Sequence, residues 1–435
     1  MGPGVSAASA SAADMKRAGQ HVDAAALDLA KHVRPGDLVA WGQSGGEPCT
    51  LTETLVAQRR AIGGRFSVFL GTAWSDTLKP EHADAIDFIA YSGGGQNRAL
   101  AHAGLLHIVP SHYSQFEHAI DVDVLLVQVA PADEHGHYSL SVAYEYLLPF
   151  LEHARTVIAE VNEAAPWTYG PYALTADSFD VLVHTNRPLL TSARAAPGET
   201  ELTIARHAAD FIEDGATLQF GLGALPEAIL SALQDRRDLG VHTGLFNDGA
   251  ADLATRGIVT NARKTVDRGV SVAGVVMGTG IAYRYAHRNP ALQMRGTSYT
   301  HDIGVLSRID RFVAINSALE VDLTGQVNAE AVNGRYLGAV GGGVDFLRGA
   351  ARSRGGVPMI VLPARSRDAS RIVSQLHGPA STPRADAGVI VTEFGAADLR
   401  GLTLAQRVRR MIEIAPSEFR ASLEDDAHRH TLLKS

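Results

Sequence analysis

The chain has 435 residues, 46% apolar and 20% charged, which is enough length for two or three packed cores and too apolar a composition for a disordered or fibrous protein. Its net charge of −8, with no Lys/Arg-rich stripe, leaves no electrostatic footprint for nucleic acid and points to a metabolite as partner. No window of about 20 uninterrupted apolar residues exists to span or anchor in a membrane, and the single cysteine, Cys49, excludes an internal disulfide or a Cys-cluster metal site and fits a reducing cytoplasm.

Residues 1–14 are rich in Ala and Ser, carry no basic side chain and read as a disordered tail. Met1-Gly2 with Ser6 matches a myristoylation pattern, but one too short to outweigh that reading. From 15 to 188, short β-branched runs at 37–41, 66–71, 86–90, 106–109, 122–129 and 157–161 alternate with helical patterns, and 180–184 is a further strand candidate. Strands alternating with helices predict an α/β domain with a mainly parallel sheet. A polar, turn-rich stretch containing Pro188, Pro197 and Gly198 follows, and the interdomain linker is placed at 189–200. The second domain, 201–435, opens with an amphipathic helix at 201–213. Strand candidates follow at 216–220, 240–246, 270–276, 303–305, 311–315, 359–362 and 388–392, and a helical tail at 402–414. Each half places a glycine-rich turn after an early strand, Gly42-Gln43-Ser44-Gly45-Gly46 and Gly221-Leu222-Gly223, as a distant duplication would.

Four motifs invite chemistry. Gly42 to Gly46 fits G-x-S-x-G, which would make Ser44 a hydrolase nucleophile, but the pattern is short and comes too early in the sheet, so a tight turn is preferred. Cys49 is read as a space-filling thiol. In Gly338-Ala339-Val340-Gly341-Gly342-Gly343, the glycines expose backbone N–H groups able to hold a phosphate or an oxyanion. Asp133, Glu134, His135 and His137 imitate a metal site but lack a matching ligand set elsewhere, so a polar turn is preferred and no metal is expected. Around the glycine loop, Arg348, Arg352, Arg354, Arg365, Arg367, Arg371 and Arg384 form either a solvated surface or a site for a polyphosphorylated ligand.

Taken together these segments resemble the acetyl-CoA hydrolase and CoA-transferase family. The strongest match runs from Ile315-Asn316-Ser317-Ala318-Leu319-Glu320 through Val321-Asp322-Leu323-Thr324-Gly325-Gln326-Val327-Asn328. Gln43 with Gly46-Glu47-Pro48, Leu218-Gln219-Phe220-Gly221, the Gly341-Gly342 loop, Ser370-Arg371-Ile372-Val373 and Val391-Thr392-Glu393-Phe394-Gly395 support it in family order, so it covers about residues 37 to 425. The resemblance implies two similar open, mainly parallel α/β domains of the CoA-transferase type with the active site in the cleft between them. It also implies a homodimer, no metal and no permanently bound cofactor, with a coenzyme A thioester as substrate. Family members use a glutamate as nucleophile, passing through an acyl anhydride to a glutamyl-CoA thioester.

In the stretch that carries that glutamate, this chain reads His242-Thr243-Gly244-Leu245-Phe246-Asn247-Asp248-Gly249, with Gly244 at the nucleophile's place. Gly343 stands where the family commonly has glutamine. The expectation is therefore an acyl-thioester enzyme on a CoA-transferase scaffold. It would transfer the acyl group from CoA, or from a pantetheine carrier, directly to water or a second nucleophile. His242, Gly244, Asn247, Asp248 and Glu47 are the catalytic candidates, and Gly341, Gly342, Gly343, Gln43, Gly221, Gly223 and Arg371 the oxyanion and CoA-binding candidates. Two alternatives stand beside it: ordinary transfer to a carboxylate with a relocated nucleophile such as Glu47, and an inactive CoA-binding or partner subunit. Trp74, Tyr91, Tyr113 and Phe220 are candidates for shaping the acyl site.

Overall fold

The computed structural model describes residues 17–192, 196–429 and 432. The tail assigned to residues 1–14, with its myristoylation pattern, lies outside them. The first half forms an eight-stranded sheet from β1 (Gln20–Val22), β2 (Leu38–Trp41), β3 (Phe66–Leu70), β4 (Ile86–Ala90), β5 (Leu106–Ile108), β6 (Val124–Val129), β7 (Thr156–Asn162) and β8 (Val181–Thr185). Their order is β1-β8-β7-β6-β2-β3-β4-β5, parallel throughout. Every residue of β6 and β7 is buried, as expected where both faces of a parallel sheet are covered.

The second half repeats the plan with β9 (Thr217–Gln219), β10 (Gly240–Phe246), β11 (Ser271–Val276), β12 (Leu292–Met294), β13 (Phe312–Ser317), β14 (Val357–Val361), β15 (Val389–Thr392) and β16 (Gly395–Asp398). The order is β12-β11-β10-β9-β13-β14-β15-β16, parallel except for the β15–β16 hairpin. One continuous apolar core runs from Phe69 and Leu125 in the first sheet to Val241, Val275 and Met359 in the second, so the two domains share buried surface.

Three expectations change. Residues 303–305 are not a strand but part of a short helix, Ile303–Leu306, because Asp302 Oδ1 accepts the Val305 N–H at 2.6 Å and caps it. The opening helix is Glu199–Ala209, starting where Glu201 Oε2 accepts the Gly198 N–H at 3.0 Å. The edge strands β1, β12 and β16 lack long apolar runs, which is why periodicity passed over them.

The signature segment leaves β13 and forms a small three-stranded sheet, Glu320–Asp322 with Val327–Asn328 and Ile372–Val373. Asp322 Oδ1 accepts the N–H groups of Thr324 (2.8 Å) and Gln326 (3.0 Å), and Asn328 Nδ2 donates to Glu320 Oε1 at 2.9 Å. Most of its polar residues therefore hold a turn together.

Candidate active site

A cavity of about 440 Å³ lies between the sheets, beyond the carboxyl ends of β2, β3, β4, β9 and β13, where Gln43, Thr72, Tyr91, Gln219 and Asn316 line it. Open α/β sheets place ligands at such strand ends because the loops there diverge.

The cavity floor is a polar cluster. Gln43 Nε2 donates to Glu145 Oε2 and lies within bonding distance of the Tyr113 hydroxyl, both at 2.7 Å. The Tyr113 hydroxyl also donates to Glu145 Oε2 at 2.7 Å. Gln43 Oε1 accepts from the Tyr91 hydroxyl (2.7 Å) and the Thr72 N–H (2.8 Å), so the amide orientation is fixed by its partners. Glu145 is 2% exposed, and its Oε1 has no protein partner. Burial pushes its carboxyl up to about 7, with the Tyr113 and Gln43 hydrogen bonds acting in the opposite direction.

Glu145 reaches this place because residues 142–145 cross from the first domain to the second sheet. Val276 N donates to Val142 O (2.8 Å), and the N–H groups of Tyr144 and Glu145 donate to Gly274 O (3.0 and 3.2 Å).

The glycine loop forms the facing wall. Gly341 has φ +56°, a left-handed conformation that favours glycine, and its carbonyl accepts the Tyr113 N–H at 3.1 Å. Gly342 caps the helix Gly343–Arg352, whose first-turn N–H groups have no partner within the helix and carry its positive dipole end. Gly341, Gly342 and Gly343 all line the cavity.

Gly244 lines it too, and the space beside it is filled by another residue. A β-carbon at 244 would lie 3.1 Å from His301 Cε1 and 3.2 Å from Nε2, and one at 342 would collide with the same ring. The two glycines therefore hold the His301 imidazole between them, packed on Tyr113 (ring centroids 5.0 Å apart) and Phe346 (4.4 Å). Thr300 Oγ1 donates to Gly296 O at 3.1 Å, so it accepts from His301 Nδ1 at 2.8 Å, which leaves the lone pair on Nε2. Desolvation lowers the imidazole to about 3 and keeps it neutral.

Of the residues singled out from sequence, the structure brings Gln43, Gly221, Gly244, Gly341, Gly342 and Gly343 to one cavity, together with Tyr91, Tyr113 and Phe220. It does not bring His242, Asn247, Asp248, Glu47, Gly223, Arg371 or Trp74 to its lining. His242 is fully buried beside Tyr299 and Phe312, 3.9 Å from the Asp267 carboxylate, and desolvation holds it well below the usual imidazole range. Asn247 caps the helix Asp248–Thr255 through Ala250 N (3.0 Å). Asp248 accepts the N–H groups of Thr279 (3.0 Å) and Ala282 (2.9 Å) at the start of the helix Gly280–Ala286. Glu47 accepts from Trp74 N (2.5 Å), Ser75 N (3.2 Å) and the Ser75 hydroxyl (2.5 Å) in a separate small pocket, with burial raising it to about 7. Gly223, at φ +126°, opens the helix Ala224–Ser231. The Arg371 backbone pairs with Ala364, and its half-buried guanidinium is shifted down by desolvation.

The remaining motifs are structural. Ser44 is buried, with its hydroxyl on Thr72 O at 3.1 Å, and burial raises Cys49 to about 12. Asp133 Oδ1 accepts the His135 and His137 N–H groups, both at 2.9 Å, which makes that stretch a polar turn. In the arginine series, Arg348 pairs with Asp386 (2.9 Å), Arg365 with Glu418 (3.1 Å) and Arg354 with Asp310, and none of the seven lines the cavity.

Sequence reading missed Glu145 and His301. For Glu145 a signal existed, a lone carboxylate inside the apolar run 140–151. His301 sits in no periodic pattern, and only the fold shows that it lies against Gly244.

The family model of the acetyl-CoA hydrolase/transferase N-terminal domain matches residues 14–186, and that of its C-terminal domain matches residues 278–427. The chain is 34% identical over 398 residues to 4-hydroxybutyrate coenzyme A transferase of Clostridium kluyveri, covering 89% of this chain and 93% of the relative. RipA from Yersinia pestis superposes with a TM-score of 0.89 at 33% identity, over 95% of this chain and 98% of its own. The 4-hydroxybutyrate CoA-transferase of Porphyromonas gingivalis does so with a TM-score of 0.79 at 30% identity, over 94% and 98%.

Proposed function

Because the chain belongs to the acetyl-CoA hydrolase/transferase family, we propose that it passes the acyl group of a CoA thioester directly to water or a second nucleophile, with no glutamyl-CoA intermediate at position 244. The observation that carries this reading is Gly244 in the cavity wall, with the His301 ring filling the space beside it.

The thioester carbonyl lies against the first-turn N–H groups beside Gly342 and Gly343, where fixed donors and the helix dipole stabilise the oxyanion of a tetrahedral intermediate. Neutral His301 presents Nε2 as a hydrogen-bond acceptor and excludes water from the gap between Gly244 and Gly342. Free CoA and a carrier-bound pantetheine present the same thioester to this wall, and the proposal covers both.

Relocation of the nucleophile to Glu47 has no geometric support, since three hydrogen bonds hold that carboxylate outside the cavity lining. Thiol release from acetyl-, butyryl- and succinyl-CoA, followed by intact mass, tests the reading. Release from an unmodified wild type is expected, while the double variant Gly244→Glu/His301→Ala acquires a hydroxylamine-sensitive CoA adduct. A CoA adduct on the wild type overturns the proposal.

A further inference from the structure

We infer that the acceptor in this reaction is a hydroxyl or amine compound rather than a carboxylate, and that Glu145 Oε1 removes its proton. The inference rests on the proposed direct transfer and adds the acceptor's chemical class.

Three observations carry it. Glu145 supplies the only carboxylate among the described residues lining the cavity, and no lysine or arginine lines it with them. A carboxylate acceptor would have to sit beside a second carboxyl with no cation to offset the repulsion, whereas a compound carrying O–H or N–H meets an acceptor atom. Second, the cluster is built to hold this carboxyl in place. Oε2 receives both Gln43 and Tyr113 at 2.7 Å, and Gln43 is fixed in turn by Tyr91 and Thr72, while Oε1 is left without a protein partner. That oxygen is buried, and an unused lone pair on a residue lining the cavity calls for a donor from the ligand.

Third, the two groups able to accept a proton there are unequal. His301, lowered to about 3, binds a proton poorly near neutrality, whereas the carboxyl at about 7 is matched to proton transfer at the working pH. The other titratable groups facing Glu145 are the phenols of Tyr91, Tyr113 and Tyr146, all pushed upward by burial, so none titrates between them.

The step balances within the cavity. The acceptor oxygen or nitrogen forms a bond to the thioester carbon, and its proton passes to Glu145 Oε1. The C–S bond breaks, CoA leaves as the thiolate, and the proton on Glu145 returns to that sulfur, giving CoA thiol and an ester or amide. Glu145 ends as it began, and no oxidant or metal is required.

The test measures thiol release and acylated product from acetyl-CoA and butyryl-CoA, with 1-butanol, propylamine, acetate or succinate as acceptor, in wild type and Glu145→Gln. The expected result is stimulation by the alcohol or the amine and by neither carboxylate. The acceptor-dependent rate falls by about 100-fold or more in Glu145→Gln, with the KM for acyl-CoA held within about two-fold. Glu145→Asp, which shortens the reach but keeps the charge, recovers part of the rate where a purely structural role would not. Stimulation by acetate or succinate, or an undiminished rate in Glu145→Gln, overturns the inference. If thiol release to water continues without an adduct and none of the four acceptors stimulates it, the acceptor class is wrong while direct transfer stands. A CoA adduct on Glu145 removes both, and so does the absence of thiol release from either acyl-CoA.

Discussion

Two buried glutamates invite comparison, Glu47 in the small pocket at the ends of β2 and β3 and Glu145 at the floor of the central cavity. Both are almost fully enclosed and both are raised to about 7 by desolvation. They differ in what surrounds their oxygens. Glu47 spends both on Trp74 and Ser75, while Glu145 places two donors on one oxygen and none on the other. Burial and a displaced pKa are therefore common to both carboxyls, and what sets Glu145 apart is its place in the cavity lining and an oxygen left without a protein partner.

The variants that break this contrast should do so in opposite currencies. The largest effect expected is kinetic: Glu145→Gln loses about 100-fold or more in acceptor-dependent rate, while its circular dichroism and thermal midpoint stay at or above those of the wild type. Glu47→Ala should show the reverse. Removing its carboxylate strands the Trp74 and Ser75 donors, and urea unfolding should show a loss of about 3 kcal/mol with the KM for acyl-CoA little changed.

A third measurement follows stability against pH. A carboxyl whose folded value lies above its ordinary 4.5 favours the protonated fold, so stability is greatest in mild acid, falls as pH rises from 4.5 to about 7, and stays reduced above that. Relative to wild type, Glu145→Gln should gain up to about 3 kcal/mol across this window in urea titrations, and a flat difference would contradict the burial argument. Smallest is the effect of Gly244→Ala. Its β-carbon meets the His301 ring at 3.1 Å, which should cost about 1 kcal/mol and be relieved in Gly244→Ala/His301→Ala.

Much of the architecture was legible in sequence because parallel, doubly covered strands such as Val124–Val129 are continuous apolar runs. The glycines of the cavity wall stand out in the sequence too, Gly341 with a φ of +56° and Gly342 and Gly244 with the His301 ring against them. Side-chain roles were not legible. His242 is two residues from Gly244, but that separation is about 6–7 Å along a strand, enough to take it from the cavity into the core. Asn247 and Asp248 fall where the chain leaves β10 for a helix, and their polar groups are spent on helix starts. His301 arrives from 57 positions beyond Gly244, at a distance in sequence that no local spacing rule spans.

The crossing segment 142–145 has a mechanical consequence. It belongs by chain to the first domain but is stitched to β11 of the second through Val142, Tyr144 and Glu145. Any clamshell opening of the two sheets would either break those three backbone hydrogen bonds or drag the Glu145 carboxyl out of register with Gln43 and Tyr113. Three backbone hydrogen bonds thus rivet the two halves together beside the cavity, and the carboxylate at its floor is held by both domains at once.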